Sequence, residues 1–282
     1  LDEVTPAVAA AAGGGASAAV GFPATNTQLL GRGDVWRSSD TSQTGGALAA
    51  QEWKYTYGSD RAANFLALFG HNLAGGTARL QLYSDAAWSS SVYDSTALTV
   101  PAASSANAGA SYGRTGLSAG NSDDLFGDIQ PYVLYFTGVA FRSVKINLTT
   151  GSLSTADGFL ELGRPWLALY AQLNNPDYGM SKVARSNTVN TRTRGGSLRG
   201  NAGETWRVLD VNLGTIQDSG ERVFWDDVTR YAQNSRDLFI SVFDGSGGRL
   251  ERDYCMDGKI VELNPLIYSI AYRSQHMIVE EL

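Results

Sequence analysis

Residues 66–85 read LALFGHNLAGGTARLQLYSD. An apolar run ends at Phe69, a segment rich in glycine follows, and from Ala78 to Tyr83 apolar and polar residues alternate with the period of two that marks a half-buried strand. The stretch therefore predicts two adjacent strands. Gly70, Gly75 and Gly76 supply the freedom a turn needs, and Asn72 is able to satisfy turn backbone groups. His71, one of only two histidines, falls in that turn, at a loop end facing either a sugar or a neighbouring subunit.

Working outward, the same texture recurs. Strands are expected at 51–57 (QEWKYTY), 65–69, 78–83, 91–99, 132–136 and 141–148, where Val, Tyr, Phe, Trp and Thr alternate with polar residues. The spacers carry Gly, Asn, Asp and Ser, and no helical pattern precedes residue 150. Short, regularly spaced strands of this kind indicate a β-sandwich. Residues 101–130 show neither period and form a candidate contact loop. Residues 1–27, with AVAAAAGGGASAAVGFPATN at their centre, have three consecutive glycines that break any helix the alanines begin. They are expected to form an extended arm, either a disordered tail or a segment that lies along a neighbouring subunit and becomes ordered there.

The texture changes after Gly163, which sets the expected boundary between a sandwich at 28–163 and a second domain at 164–282. Residues 182–207 hold one lysine and five arginines against the single acid Glu204, and the alternation around Gly195-Gly196 suits a hairpin. Within 219–235, Phe224, Val228 and Tyr231 recur at helical spacing with Glu221 in the first turn, predicting one helix near 220–234. Further strands are expected near 238–243, 250–256, 260–263, 267–273 and 276–280.

Composition narrows the function classes. The chain has 282 residues, 43% hydrophobic and 18% charged, with 32 glycines and a formal net charge of −6. That acidic balance argues against a specific nucleic-acid partner, whose phosphates demand surplus Lys and Arg. The uncharged stretch 7–30 lacks the roughly 20 strongly apolar residues of a membrane span. One cysteine, Cys255, excludes an intrachain disulfide framework and a thiolate zinc cluster. The N-terminus has no basic and apolar regions of a secretory signal, so cytoplasmic assembly is the expectation.

Catalytic chemistry finds no constellation. Neither His71 nor His276 sits in a nucleophile-and-base setting, and no G-x-S-x-G elbow occurs. Asp226-Asp227 and Glu280-Glu281 are sequence neighbours that point in different directions, a poor geometry for paired carboxylates. The glycine runs at 13–15 and 245–248 lack the residues of a phosphate loop. Asn121, Asp123, Asp124 and Asp128 offer oxygens to a hard cation without the spacing of an EF-hand. The tripeptides Arg32-Gly33-Asp34 and Asn147-Leu148-Thr149 are short enough to arise by chance. No catalytic residue, metal or cofactor is expected.

The order VWRSSD, QEWKYTY, FLALFGHNLAGGTARLQLYSDAAW, YVLYFTGVAFRSVKINLTTG and FLELGRPW resembles the galactose-binding-like (discoidin, F5/8 type C) jelly roll. Arg142, Val144, Ile146 and Leu148 match its late R-x-V-x-I-x-L strand. The wording GHNL, LYSDAAW and ELGRPW, followed by a β domain with one helix, also resembles virion proteins of tailed bacteriophages. The resemblance implies a mainly β chain, a jelly-roll sandwich followed by a mostly β second domain. It implies a structural component of a phage tail tip or baseplate, assembled in the host cytoplasm. Such a protein forms a homo-oligomeric ring or collar that joins the tail to other virion tail proteins. The expected intersubunit residues are Arg185, Arg192, Arg194 and Arg199. The alternative is a carbohydrate-binding module for a host-surface glycan, with Trp36, Arg37, His71, Asn72, Trp88 and Arg114 lining a loop-end site. There, aromatic faces would stack on sugar rings while Arg and Asn donate hydrogen bonds.

Overall fold

The computed structural model describes residues 7–10, 36–38, 51–71, 73, 76–100, 131–149, 160–170, 172, 180–192, 194, 198–201, 205–216, 220–232, 236–243, 254–265, 267–268 and 273–281. The chain is mainly β and divides into two compact units, Leu1–Tyr170 and Ala171–Leu282. The boundary falls at Tyr170 rather than near 163. The strand β9 (Pro165–Ala168) pairs with β3 (Gln51–Leu68), so the first residues after Gly163 still belong to the first unit.

In the first unit β3 pairs with β7 (Tyr132–Thr149), and β7 pairs on its other side with β4 (Thr77–Tyr83). Beyond β4 lie β5 (Ser91–Asp94) and β6 (Leu98–Thr99). Four of the expected strands are thus two long ones. Apolar alternation breaks at 57–62 and 136–138, but the backbone there stays extended and absorbs the break as two bulges. Register jumps occur between Thr56 and Arg61 and between Ala63 and Phe65. Gly70 adopts a positive φ of 61°, as the turn after β3 requires.

The strands flanking that turn are not neighbours, because β7 lies between them. This topology bends the sheet. Leu68 pairs with Tyr132 at one end of β7, and Thr77 pairs with Thr149 at the other. Nine residue steps reach at most about 32 Å, whereas β7 laid straight would measure about 55 Å. The β3–β7 ribbon must therefore fold over at its bulges, where the local twist of the chain increases. Its two halves then close on one core. Trp53, Val144, Ile146 and Leu148 come from one half, and Leu66, Leu68 and Tyr132 from the other. The short β2 (Trp36–Arg37) and β8 (Glu161–Leu162) form a small second sheet whose Trp36 and Leu162 enter the same core. This is a β-sandwich, and the R-x-V-x-I-x-L strand returns through it as expected, with Val144, Ile146 and Leu148 fully buried.

Residues 7–10 form β1 (Ala7–Ala10), which pairs with β3 of its own chain across Gln51 to Lys54. At these four residues the expected arm covers its own sheet instead of a neighbouring subunit, since an edge strand's open hydrogen-bonding groups accept the nearest extended segment. The contact loop 101–130 and the oxygen cluster at Asn121, Asp123, Asp124 and Asp128 lie outside the described residues.

The second unit is an antiparallel sheet ordered β10 (Ser181–Ser186), β13 (Thr205–Ile216), β17 (Arg273–Glu281), β15 (Cys255–Leu263) and β14 (Asp237–Ser241), with β16 (Ile267–Tyr268) against β17. The expected helix is present as α1 (Gly220–Ala232). Trp225 anchors it, 4% exposed, among Leu209, Val211, Met256, Ile260, Met277 and Val279. The expected hairpin is β11 (Val189–Arg192) with β12 (Leu198–Asn201), whose register centres the connection on Gly195.

Candidate functional site

Among the described residues, the expected loop-end sugar site is not brought together. Trp36 has no exposed surface. Neighbours on a strand point to opposite faces, so with Trp36 turned into the core, Arg37 turns outward, where its Nε donates to Glu161 Oε2 at 3.1 Å. His71 is buried and accepts the Leu73 backbone N–H on Nδ1 at 3.3 Å, a bond that closes the turn. Trp88 belongs to the turn after β4, whereas His71 precedes that strand. Trp88 meets Lys54, which is in register with Gln81 at the middle of β4, whereas His71 lies before the strand's first residue, Thr77. Asn72 and Arg114 lie outside the described residues.

What the fold does assemble is a polar face on the outer side of the bent sheet. Register sets it in rows that cross β3, β7, β4 and β5. One row runs Lys54, Lys145, Gln81, Asp94, and the next runs Glu52, Asn147, Arg79. These positions alternate with core residues such as Trp53, Ile146 and Leu80, so burial of the apolar set fixes the polar set on one side. Hydrogen bonds then lock the side chains together. Asn147 Nδ2 donates to Gln81 Oε1 at 3.0 Å, and Gln81 Nε2 donates to Asp94 Oδ2 at 3.0 Å. Arg79 grips Asp94 with two parallel bonds, Nε to Oδ1 at 2.8 Å and Nη2 to Oδ2. Chiefly through that Arg79 bond, Asp94 is lowered from 3.8 to about 2, and Arg79 is raised in turn.

Glu52 lies between two ammonium groups, with Lys54 Nζ at 2.9 Å and Lys145 Nζ at 3.7 Å. Each lysine also faces an aromatic ring, Lys54 that of Trp88 at 5.4 Å and Lys145 that of Tyr83 at 5.6 Å. Trp88 reaches across β7 to β3 because the turn 84–90 folds back over the sheet. The Ser143 hydroxyl on β7 donates to the Asp85 carbonyl at 2.5 Å. The Asp85 carboxylate holds the turn by accepting the backbone N–H groups of Ala87 at 2.7 Å, Ser89 at 3.1 Å and Ser90 at 2.6 Å. Those bonds, the Ser89 N–H foremost, lower it to about 2. Trp88 itself carries two costs. Its φ is +54°, unusual for a bulky residue and worth roughly 1–3 kcal/mol. Its buried indole N–H has no acceptor among the described residues. Strain is thus gathered on a residue whose ring borders a preset polar face, and strain of this kind clusters at ligand clamps and active sites.

No known protein-family profile matches the sequence, and no match to a curated protein sequence was found. Several solved structures are loosely similar. The chitosan-binding module 1 of a chitosanase/glucanase from Paenibacillus sp. IK-5 is 15% identical, over 59% of this chain and 94% of that one, with a TM-score of 0.33. The CBM32 of AlyQ, solved with 4,5-unsaturated mannuronic acid, is 16% identical over 58% and 93%, with a TM-score of 0.33. CpGH89CBM32-5 from Clostridium perfringens, solved with GalNAc-β-1,3-galactose, is 12% identical over 58% and 92%, with a TM-score of 0.32. A likeness this loose assigns neither a site nor a ligand.

The four expected intersubunit arginines fall on β10 and on the β11–β12 hairpin. Arg185 on β10 pairs with Glu280 at 2.9 Å, and Arg192 and Arg194 are exposed on the β11–β12 hairpin. Arg199 lies on β12. Among the described residues no group of three or more His, Cys, Asp or Glu is placed to hold a metal, and no helix is long and apolar enough to cross a membrane. Glu52, Lys54, Arg79, Gln81, Asp94, Lys145 and Asn147 were not singled out from the sequence. Their signal is the polar phase of QEWKYTY, TARLQLY and RSVKINL, which gains meaning only once three distant strands are put in register.

Proposed function

We propose that this chain is a non-catalytic carbohydrate-binding protein whose site is the outer polar face of β3, β7, β4 and β5. One observation carries the proposal. Amides, ammonium groups and carboxylates of four strands are locked side by side, and a strained tryptophan borders them. A saccharide needs such a surface, with preset donors and acceptors for its hydroxyls and an apolar ring beside them. Fixing the groups beforehand removes the cost of ordering them on binding. The test is a glycan array probed with the full chain. Binding is expected, weakened about tenfold or more by Trp88→Ala, the scale of losing one stacked ring. An array without a hit, or binding untouched by both Trp88→Ala and Gln81→Ala, sinks the proposal.

A second reading rests on β10. All six of its residues are exposed, Val183 to 52%, and among the described residues it forms one edge of its sheet. A bare edge strand is a template for another chain. This supports an assembly subunit, of which a ring at a phage tail tip or baseplate is the specific form that the sequence resemblance implies. Sedimentation of the purified chain tests it. A closed oligomer, dissociated by Val183→Lys, is expected, and a monomer at all concentrations overturns it.

A further inference from the structure

We infer that the polar face selects acidic saccharides, those bearing a carboxylate or sulfate, and that Lys54 and Lys145 receive the anionic group. The inference rests on the carbohydrate-binding proposal and names its ligand class.

Lys54 and Lys145 are directly opposed in the β3–β7 register. Like charges in that relation repel and weaken a strand pair. Both are largely withdrawn from water, each side chain being 17% exposed, which strengthens the repulsion by lowering the local dielectric. Among the described residues a single carboxylate, Glu52, serves both. The other acid of the face, Asp94, is taken up by its two bonds to Arg79. Among the strand residues of the face, three cations thus meet two anions, and the unmatched positive charge falls at the lysine pair. The Asp85 carboxylate of the overlying turn is engaged by the backbone N–H groups of Ala87, Ser89 and Ser90. The rings of Trp88 and Tyr83 attract the two ammonium groups, but ring quadrupoles compensate an ion only in part.

This local surplus runs against a chain whose net charge is −6, so it is not the fringe of a generally basic surface. An anionic group lying against both ammoniums supplies the missing charge and accepts charge-assisted hydrogen bonds, roughly twice as strong as neutral ones. Each ammonium has three donors and Glu52 cannot occupy them all. A sugar ring carrying that group would lie toward Trp88 on one side and toward the Gln81 and Asn147 amides on the other. The second N–H of Gln81 Nε2 and the Asn147 Oδ1 remain to offer a hydroxyl a hydrogen bond.

The experiment is calorimetric titration of the full chain with matched pairs in the same linkage, such as galacturonate and galactose oligosaccharides or glucuronate and glucose. A sulfated oligosaccharide and inorganic sulfate at equal ionic strength are run alongside. The acidic member is expected to bind about tenfold tighter or more, the gain from one charge-assisted contact, and methyl esterification of its carboxylates should abolish the gain. The uronate and sulfated arms tell the two sources of the charge apart. Lys54→Met or Lys145→Met should bring the acidic member to within about twofold of the neutral one measured on the same variant. Equal binding of acidic, esterified and neutral sugars overturns the acid preference alone, and the ester comparison needs no variant that could misfold. Sulfate binding as tightly as the acidic sugar overturns saccharide selection and leaves an anion site. No binding of any saccharide overturns the carbohydrate proposal itself.

Discussion

Asp94 shows how one carboxylate organises the candidate site. It accepts both Arg79 bonds, one from Gln81 and the backbone N–H of Thr96 at 2.9 Å, so Arg79, Gln81 and, through Gln81, Asn147 are all positioned from it. Because folding lowers this carboxyl from 3.8 to about 2, its ionised form favours the folded state. That stability is fully present above about pH 4 and is lost as pH falls toward 2. The direct measurement is carbon-detected NMR titration. Asp94 should titrate near 2 in the parent chain and move back toward 3.8 in Arg79→Ala, and an unmoved midpoint would show that the Arg79 bond is not the cause. Trp36 illustrates the opposite case. It looked like a sugar-stacking ring because an exposed tryptophan and a core tryptophan have the same letter. Its neighbours Leu160 and Leu162 lie more than a hundred residues away in sequence, and only the β2–β8 pairing reveals that it faces them. Trp36→Ala should cost about 3–5 kcal/mol in denaturant unfolding, as removal of a large buried ring does.

At the scale of elements, the alternation of apolar residues was enough to find the strands, the helix and the hairpin. It was not enough to find which strands pair. Residues 66–85 announce two strands and a turn, yet nothing local says that β7, nearly fifty residues later, inserts between them. The bulges were invisible for a related reason, since a bulge breaks the period while the backbone stays extended. The turn 69–76 is held by contacts equally remote. The Gly163 N–H donates to the carbonyls of Phe69 and Gly70, each at 3.0 Å. A Cβ at Gly163 would stand 2.8 Å from the Phe69 oxygen, closer than side chains approach backbone. Gly163→Ala should therefore force the turn away from β9 and destabilise the fold by about 1–3 kcal/mol, the usual range for overpacking. Thermal unfolding checks this, and an unchanged midpoint would mean that the turn yields without cost.

Across the whole molecule, each unit closes its own core, and the two clusters share no residue. Trp225 connects α1 to the sheet of the second unit. Its ring fills that core, and its indole N–H donates to Gln275, whose own amide donates to the Asn264 carbonyl at 2.7 Å. Removing the ring opens a cavity and orphans a buried amide, two costs that add. Trp225→Ala should thus lower stability by about 3–5 kcal/mol, felt where that core holds the backbone. Peptide-resolved hydrogen exchange separates the units, because protection reports the opening of each cooperative region. Protection should fall in β13, β15 and β17 while β3, β4 and β7 keep theirs, and Trp36→Ala should give the mirror pattern. Equal loss in both sets would mean that the chain opens as one cooperative body, in which case a lesion in either core would also loosen the polar face of the first unit.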